Sequence, residues 1–135
     1  MNSVTLDWQT SAAAKMSTML RYLDRQYPGR IGGVFPCYLH TSEWFFPGSG
    51  DIGLGGKSKL SDYSHATKKR FCADTNQSSG CSMPLPSQRN RPGLGSAFAD
   101  VETTRLNLFL ADTVADAIET LATAAKKVSN GKLMT

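Results

Sequence analysis

The chain has 135 residues, of which 40% are hydrophobic and 19% are charged, and its formal net charge is +4. This length predicts one domain with a modest core, and the composition excludes wholesale disorder. No apolar run approaches the roughly 18–20 residues of a membrane-spanning helix, and the first residues lack the features of a signal peptide. The sequence therefore predicts a cytoplasmic protein without a membrane partner, or an internal segment of a longer protein.

The first predicted element is an amphipathic helix over residues 11–27. Its apolar side chains recur with helical spacing, at Met16, Met19, Leu20, Leu23 and Tyr27. Thr10 or Ser11 can cap its start, and the Pro-Gly pair at 28–29 ends it.

A short buried strand is predicted next, over residues 31–39, from the apolar run "IGGVFPCYL". Pro36 cannot donate a ladder hydrogen bond, so we expect this strand to be irregular or to lie at an edge. A loop rich in Gly and Ser follows over residues 46–61.

That loop contains a literal G-x-G-x-x-G at Gly48, Gly50 and Gly53. A dinucleotide site needs a helix to begin there, whereas two further glycines follow at 55 and 56. We interpret the match as chance and predict no cofactor.

A second helix is predicted over residues 61–74, with Ser61 or Asp62 near its start, and a long loop over residues 75–96. Residues 52–99 carry seven lysines and arginines against two aspartates. A nucleic-acid surface over 57–91 is one interpretation. Because aromatic residues are not interleaved with the cations, a solvated, mobile loop is favoured, and nucleic acid is not the expected partner.

The clearest element is a long helix over residues 101–129, with Asp100 as a candidate N-cap and Asn130-Gly131 as its stop. One face is apolar, with Leu106, Phe109, Leu110, Val114, Ala117, Ile118, Leu121, Ala125 and Val128. A second strand is predicted to begin at residues 132–135. The order of helix, strand, helix, long helix and strand predicts an α/β fold.

The chain has three cysteines, Cys37, Cys72 and Cys81. An odd number without a secretory signal predicts free thiols. Cys37 and His40 form a C-x-x-H pair, but no second close pair accompanies it, so no metal site is predicted.

Three runs resemble β-galactosidase-like glycoside hydrolases of the family 42 type. They are "YPGRIGGVFPCYLHTSEWFFPG", "DYSHATKKRF" and the stretch from "LPSQRN" to "AAKKVSNGKL", and together the likeness extends from about Leu6 to Leu133. The family fold is a (β/α)8 barrel of about 250 residues, so the resemblance implies a partial barrel around strands four and five. We expect residues 1–135 to be a single domain or a fragment of such a barrel, completed by a homo-oligomer.

The resemblance implies hydrolysis of a β-linked sugar such as a β-galactoside. Glu43 matches the position of the general acid/base, and Trp44, Phe45 and His40 would shape the substrate site. Ser42 departs from the family pattern, which commonly has glycine there. Glycosidases generally use two carboxylates, and Asp51 is the candidate for the second. The strand that carries the family's nucleophile has no counterpart in this chain.

Two other functions stay open. The missing second carboxylate favours a non-catalytic, barrel-derived module that associates with itself or with a partner. The third hypothesis is nucleic-acid binding through residues 57–91.

Overall fold

Helices dominate the part of the chain that the structure describes. This computed structural model describes residues 6–36, 63–75, 80–85 and 101–135. The helices are α1 (Leu6–Gln26), α2 (His65–Asp74) and α3 (Val101–Val128). The chain divides into a terminal unit, Met1–Trp44 with Val114–Thr135, and a central unit, Phe45–Thr113. The first half of α3 belongs to the central unit and the second half to the terminal unit.

The predicted α/β fold is wrong, because no strand forms in the described residues. The two segments predicted as strands meet at one isolated parallel bridge, Gly33 with Met134. The Met134 N–H donates to the Gly32 carbonyl at 3.1 Å, and the Val34 N–H donates to the Met134 carbonyl at 2.9 Å. Adjacent glycines offer no side chains for packing, and Pro36 has no N–H, so pairing does not extend along the segment. Because a barrel is built from strands, the prediction of a partial (β/α)8 barrel is wrong as well.

Helix α1 begins at Leu6, five residues before the predicted start, so the two predicted capping residues lie inside it. Asp7 stands in its first turn, where a carboxylate interacts favourably with the helix dipole. It ends at Gln26, one residue before the predicted boundary, and the predicted Pro-Gly stop follows. The Arg30 N–H donates to the Tyr27 carbonyl at 3.1 Å, and Gly29 has a φ of 68°, the positive value that the third residue of a type II turn requires.

The buried face of α1 is narrower than the predicted stripe. Leu20 is buried and Met16 packs against its cluster, as predicted. Met19 is 49% exposed, because consecutive residues lie about 100° apart around a helix and Met19 therefore points away from the core. Tyr27 is also largely exposed, beyond the end of the helix.

Helix α3 ends one residue before the predicted boundary, and its stop is the predicted one. Asn130 has a φ of 52°, and the Gly131 N–H donates to the Lys126 carbonyl at 2.8 Å. A left-handed residue with this 6→1 hydrogen bond is the Schellman motif. The predicted cap Asp100 lies outside the described residues.

The core of the terminal unit joins α1 to the end of α3 and the segment after it. Leu20, Ala125 and Leu133 form its buried centre. Four partly buried side chains surround them, namely Met16, Ile31, Val34 and Val128. The predicted strand segments thus contribute to the core as irregular backbone.

In the central unit, the Phe71 and Phe109 rings pack edge to face with centroids 5.3 Å apart. Leu106 and Met83 are buried in the same unit. Helix α2 begins at His65, later than predicted, because the Ser64 hydroxyl accepts from the Thr67 N–H at 3.3 Å and caps it. Because Phe71 and Met83 are buried, the expectation of a solvated segment over 57–91 is wrong at these two residues.

Cys72 and Cys81 form a disulfide, so the prediction of free thiols is wrong for these two residues. The bond joins α2 to the segment that carries the buried Met83. The pairing was hidden because spacing alone does not reveal which cysteines lie close in space. Cys37 lies outside the described residues.

Candidate functional site

The side chains predicted to act in catalysis or to bind the substrate lie outside the described residues. These are His40, Glu43, Trp44, Phe45 and the second carboxylate candidate Asp51. The glycine run at 48–53 lies outside them as well. The described residues instead contain a groove that the sequence did not predict.

The groove belongs to the terminal unit and has a volume of about 560 Å³. It is lined by α1, by the turn after α1, and by the end of α3 with the segment that follows. The lining residues are Leu20, Arg21, Asp24, Arg25, Gly29, Ile31, Val128, Ser129, Asn130, Lys132 and Leu133. This volume lies within the range of small-molecule sites, roughly 300–1,000 Å³.

One wall is the last turn and a half of α1. Arg21 and Arg25 stand four positions apart in the helix and therefore lie next to each other on one helix face. Asp24, three residues after Arg21, lies on the same face. The wall thus carries two guanidinium groups and one carboxylate.

The floor of the groove is apolar. Leu20 and Leu133 are buried members of the hydrophobic cluster, and Ile31 and Val128 pack against them. Because the same side chains hold the unit together, the floor is formed before any ligand arrives.

A second wall is the segment after α3, whose backbone is held by two side chains of the helix end. The Ser129 hydroxyl accepts from the Leu133 N–H at 3.2 Å and donates to the Ala125 carbonyl at 2.9 Å. The Lys126 ammonium donates to the Leu133 carbonyl at 2.6 Å. Both polar backbone groups of Leu133 are therefore satisfied, which fixes the wall that carries Lys132.

The groove has a positive balance of charge. Arg21, Arg25 and Lys132 line it against the single carboxylate of Asp24, which leaves a net charge of +2. In the described part of the chain, no ion pair engages any of these three cations. The groove therefore combines an apolar floor with three cations that no carboxylate of the described residues engages in an ion pair.

The sequence contained a signal for this site. Arg21 and Arg25 stand at helical spacing in a predicted helix, with Arg30 just beyond it. The basic stretch singled out from composition lay elsewhere, over residues 57–91. Its described cations are partly engaged, since Arg70 pairs with Asp74 at 3.4 Å and the Lys68 ammonium lies 6.0 Å from the Tyr63 ring centroid.

The described residues offer neither a metal site nor a membrane-spanning helix. No group of three His, Cys, Asp or Glu side chains there is placed to hold a metal ion. None of the described helices combines the length and the apolar character that crossing a membrane requires.

Comparisons with models of known protein families, with curated proteins and with solved structures find no match for this chain.

Proposed function

We propose that this chain is a non-catalytic binding module whose terminal unit receives a small molecule in the groove between α1 and the segment after α3. The observation that carries the proposal is the groove itself, with about 560 Å³ of space above an apolar floor. Small-molecule sites combine apolar surface with polar groups that orient the ligand, and this groove combines four apolar side chains with charged walls.

Nuclear magnetic resonance tests this proposal directly. A library of small fragments is added to ¹⁵N-labelled protein, and the amide shifts are followed. We expect some fragments to move the amides of Leu20, Ile31 and Leu133 together, because these residues share the floor.

Two tryptophan variants test whether the fragments bind in the groove, one that fills the groove and one that serves as the matched control. Asp24→Trp places a large ring at the wall of the groove, at an exposed position. Asp7→Trp places the same ring at an exposed position of α1 that does not line the groove. Binding should be lost in the first variant and kept in the second. A library without a single hit on the groove would reject the proposal.

A second proposed function, β-glycoside hydrolysis, rests on the sequence resemblance. Its support is the order Glu43-Trp44-Phe45 in the sequence, because two neighbouring aromatic side chains would suit a carboxyl group that acts as a proton donor. The barrel is no longer part of this proposal. Asp51 stays the candidate for the second carboxylate, and His40 for a substrate contact.

The test of this second proposal is hydrolysis of a β-linked galactose disaccharide. Glu43→Gln should lower turnover by about 10²–10⁴-fold, the usual contribution of a general acid. Glu102→Gln, in the first turn of α3, is the control and should keep full activity. Equal turnover by the wild type and the Glu43 variant would remove Glu43 from the assignment.

The cytoplasmic location also stays a proposal, and the Cys72–Cys81 disulfide is the observation that weighs against it. Disulfides are rare where thioredoxin and glutathione keep thiols reduced. Alkylating free thiols at lysis of the cells that naturally make the protein, and then counting them, tests this point. With the disulfide formed, Cys37 alone would be alkylated, which contradicts the cytoplasmic proposal, whereas alkylation of all three cysteines would support that proposal and show that the bond is not formed in those cells.

A further inference from the structure

The strongest unexplained feature of the groove is the pair Arg21 and Arg25. Like charges four residues apart repel each other and destabilise a helix. Within the described residues, neither arginine has an ion-pair partner, and Asp24 offsets one charge of the groove. An anion bound between the two guanidinium groups would relieve this repulsion.

We propose that the groove binds a phosphomonoester with an apolar or aromatic body, with Arg21 and Arg25 on the phosphate, Lys132 facing it from the other wall, and the body on the apolar floor. This inference rests on the proposed binding function and adds the class of ligand.

The charge of the groove favours phosphate over carboxylate. A phosphomonoester carries between −1.5 and −2 charges near neutral pH, roughly the opposite of the groove's net charge of +2. A carboxylate brings a single negative charge and leaves one cation uncompensated. Arginine also presents a planar fork of donors that engages two phosphate oxygens at once.

The size and floor of the groove favour a small molecule over a polymer. The groove, with a volume of about 560 Å³, has three cations, which is enough to neutralise one phosphate group. A nucleic acid instead needs a row of cations that follows its backbone. The floor of Leu20, Ile31 and Leu133 offers no charged partner, and it suits a hydrocarbon or aromatic body.

Four probes separate the contributions of charge and body, and each is titrated into labelled protein at low salt. They are phenyl phosphate, glycerol phosphate, inorganic phosphate and benzyl alcohol. Phenyl phosphate should bind about tenfold or more tightly than the other three, because it alone engages both the cations and the floor. A glycerol phosphate that binds as tightly would replace the apolar body with a polar, sugar-like one and overturn that part of the proposal.

Variants then locate the phosphate. Arg21→Gln and Arg25→Gln should each weaken phenyl phosphate binding by about tenfold, since each removes a charge-assisted contact. Arg30→Gln is the control, because Arg30 is an exposed arginine of the same unit that does not line the groove. An equal loss in the Arg30 variant would mean nonspecific attraction to a basic surface, which overturns the proposal.

The outcomes also separate this inference from the proposed function on which it rests. If benzyl alcohol and phenyl phosphate bind the groove equally well, the groove is a binding site and the phosphate proposal is wrong. If none of the probes, and none of the fragments, shifts the floor residues, both proposals are wrong. Circular dichroism of each glutamine variant shows whether α1 has kept its helix, so that lost binding is not mistaken for lost folding.

Discussion

At the scale of single residues, Gly33 shows how close the two bridged segments lie. A Cβ atom built on Gly33 would lie 3.0 Å from the Met134 carbonyl oxygen and 3.2 Å from the Met134 Cβ. At the neighbouring Gly32, no atom beyond its own chain neighbours lies within 4 Å of the same position. The two glycines therefore form a matched pair of test positions.

We predict that Gly33→Ala destabilises the protein by about 1–3 kcal/mol, because the added methyl group pushes the bridge apart. Gly32→Ala should be neutral within about 0.5 kcal/mol, as expected of a surface substitution. Urea denaturation of the two variants measures the difference. Equal stability of both would mean that the bridge is not formed in solution.

The burial of Thr113 could not be predicted from the sequence. Thr113 is fully buried, although threonine in a helix predicts a solvent-facing position. Its hydroxyl donates to the Phe109 carbonyl at 2.7 Å, so the polar group is satisfied inside its own helix and costs little to bury. A hydrophobicity pattern cannot anticipate a polar side chain that satisfies itself.

At the scale of elements, the stop of α3 is held by a left-handed residue. Asn130 has a φ of 52°, and asparagine tolerates this conformation better than other residues with a side chain, whereas glycine adopts it without strain. We predict that Asn130→Ala lowers the free energy of unfolding by about 1 kcal/mol, the order of the left-handed penalty for a residue with a Cβ.

Asn130→Gly is the matched control for this position and should be neutral or slightly stabilising. Thermal unfolding of both variants gives the comparison. A loss in the glycine variant equal to that in the alanine variant would show that the asparagine side chain, and not the backbone conformation, stabilises the stop.

Elements with a strong local signal could be predicted from the sequence, and those that depend on distant contacts could not. The long periodic stripe and the Asn-Gly stop predicted α3 to within one residue. The apolar run at 31–39 predicted a strand, but a strand needs a partner, and the bridge found here is a single pair. The groove also needs the end of α3 to return to α1, which no local pattern contains.

At the scale of the whole molecule, a disulfide bond joins α2 to the segment that contains Met83 within the central unit. The Cys72–Cys81 bond closes a loop with a sequence separation of 9, next to the buried Phe71 and Met83. By the loop-entropy argument, a closure of this size contributes about 2–3 kcal/mol. We predict that Cys81→Ser lowers the unfolding free energy by that amount, whereas Ser82→Ala, at an exposed position beside the intact bond, has little effect. Two equally destabilised variants would contradict this prediction.

Self-association is the remaining expectation for the whole molecule, and the terminal unit supplies a surface for it. Phe35 and Met134 are 76% and 73% exposed. Side chains alternate along extended backbone, so these two share the outer face of the bridged segments, while Val34 and Leu133 contribute to the core. Within the described residues, the backbone of Gly33 makes no hydrogen bond, which leaves its segment with an open edge.

The edge on the Leu133 side cannot pair with another strand, because the Leu133 carbonyl and N–H already form hydrogen bonds with the Lys126 and Ser129 side chains. A second copy would therefore pair at the open edge by Gly33, where Phe35 adds exposed apolar area. We predict a homodimer by light scattering at micromolar concentrations, with twice the 14.6 kDa mass of one chain. Phe35→Ser should shift it to a monomer, whereas Leu108→Ser, which removes an exposed leucine of the central unit, should leave it dimeric. A wild-type mass of one chain at every concentration would show that this face stays open to solvent.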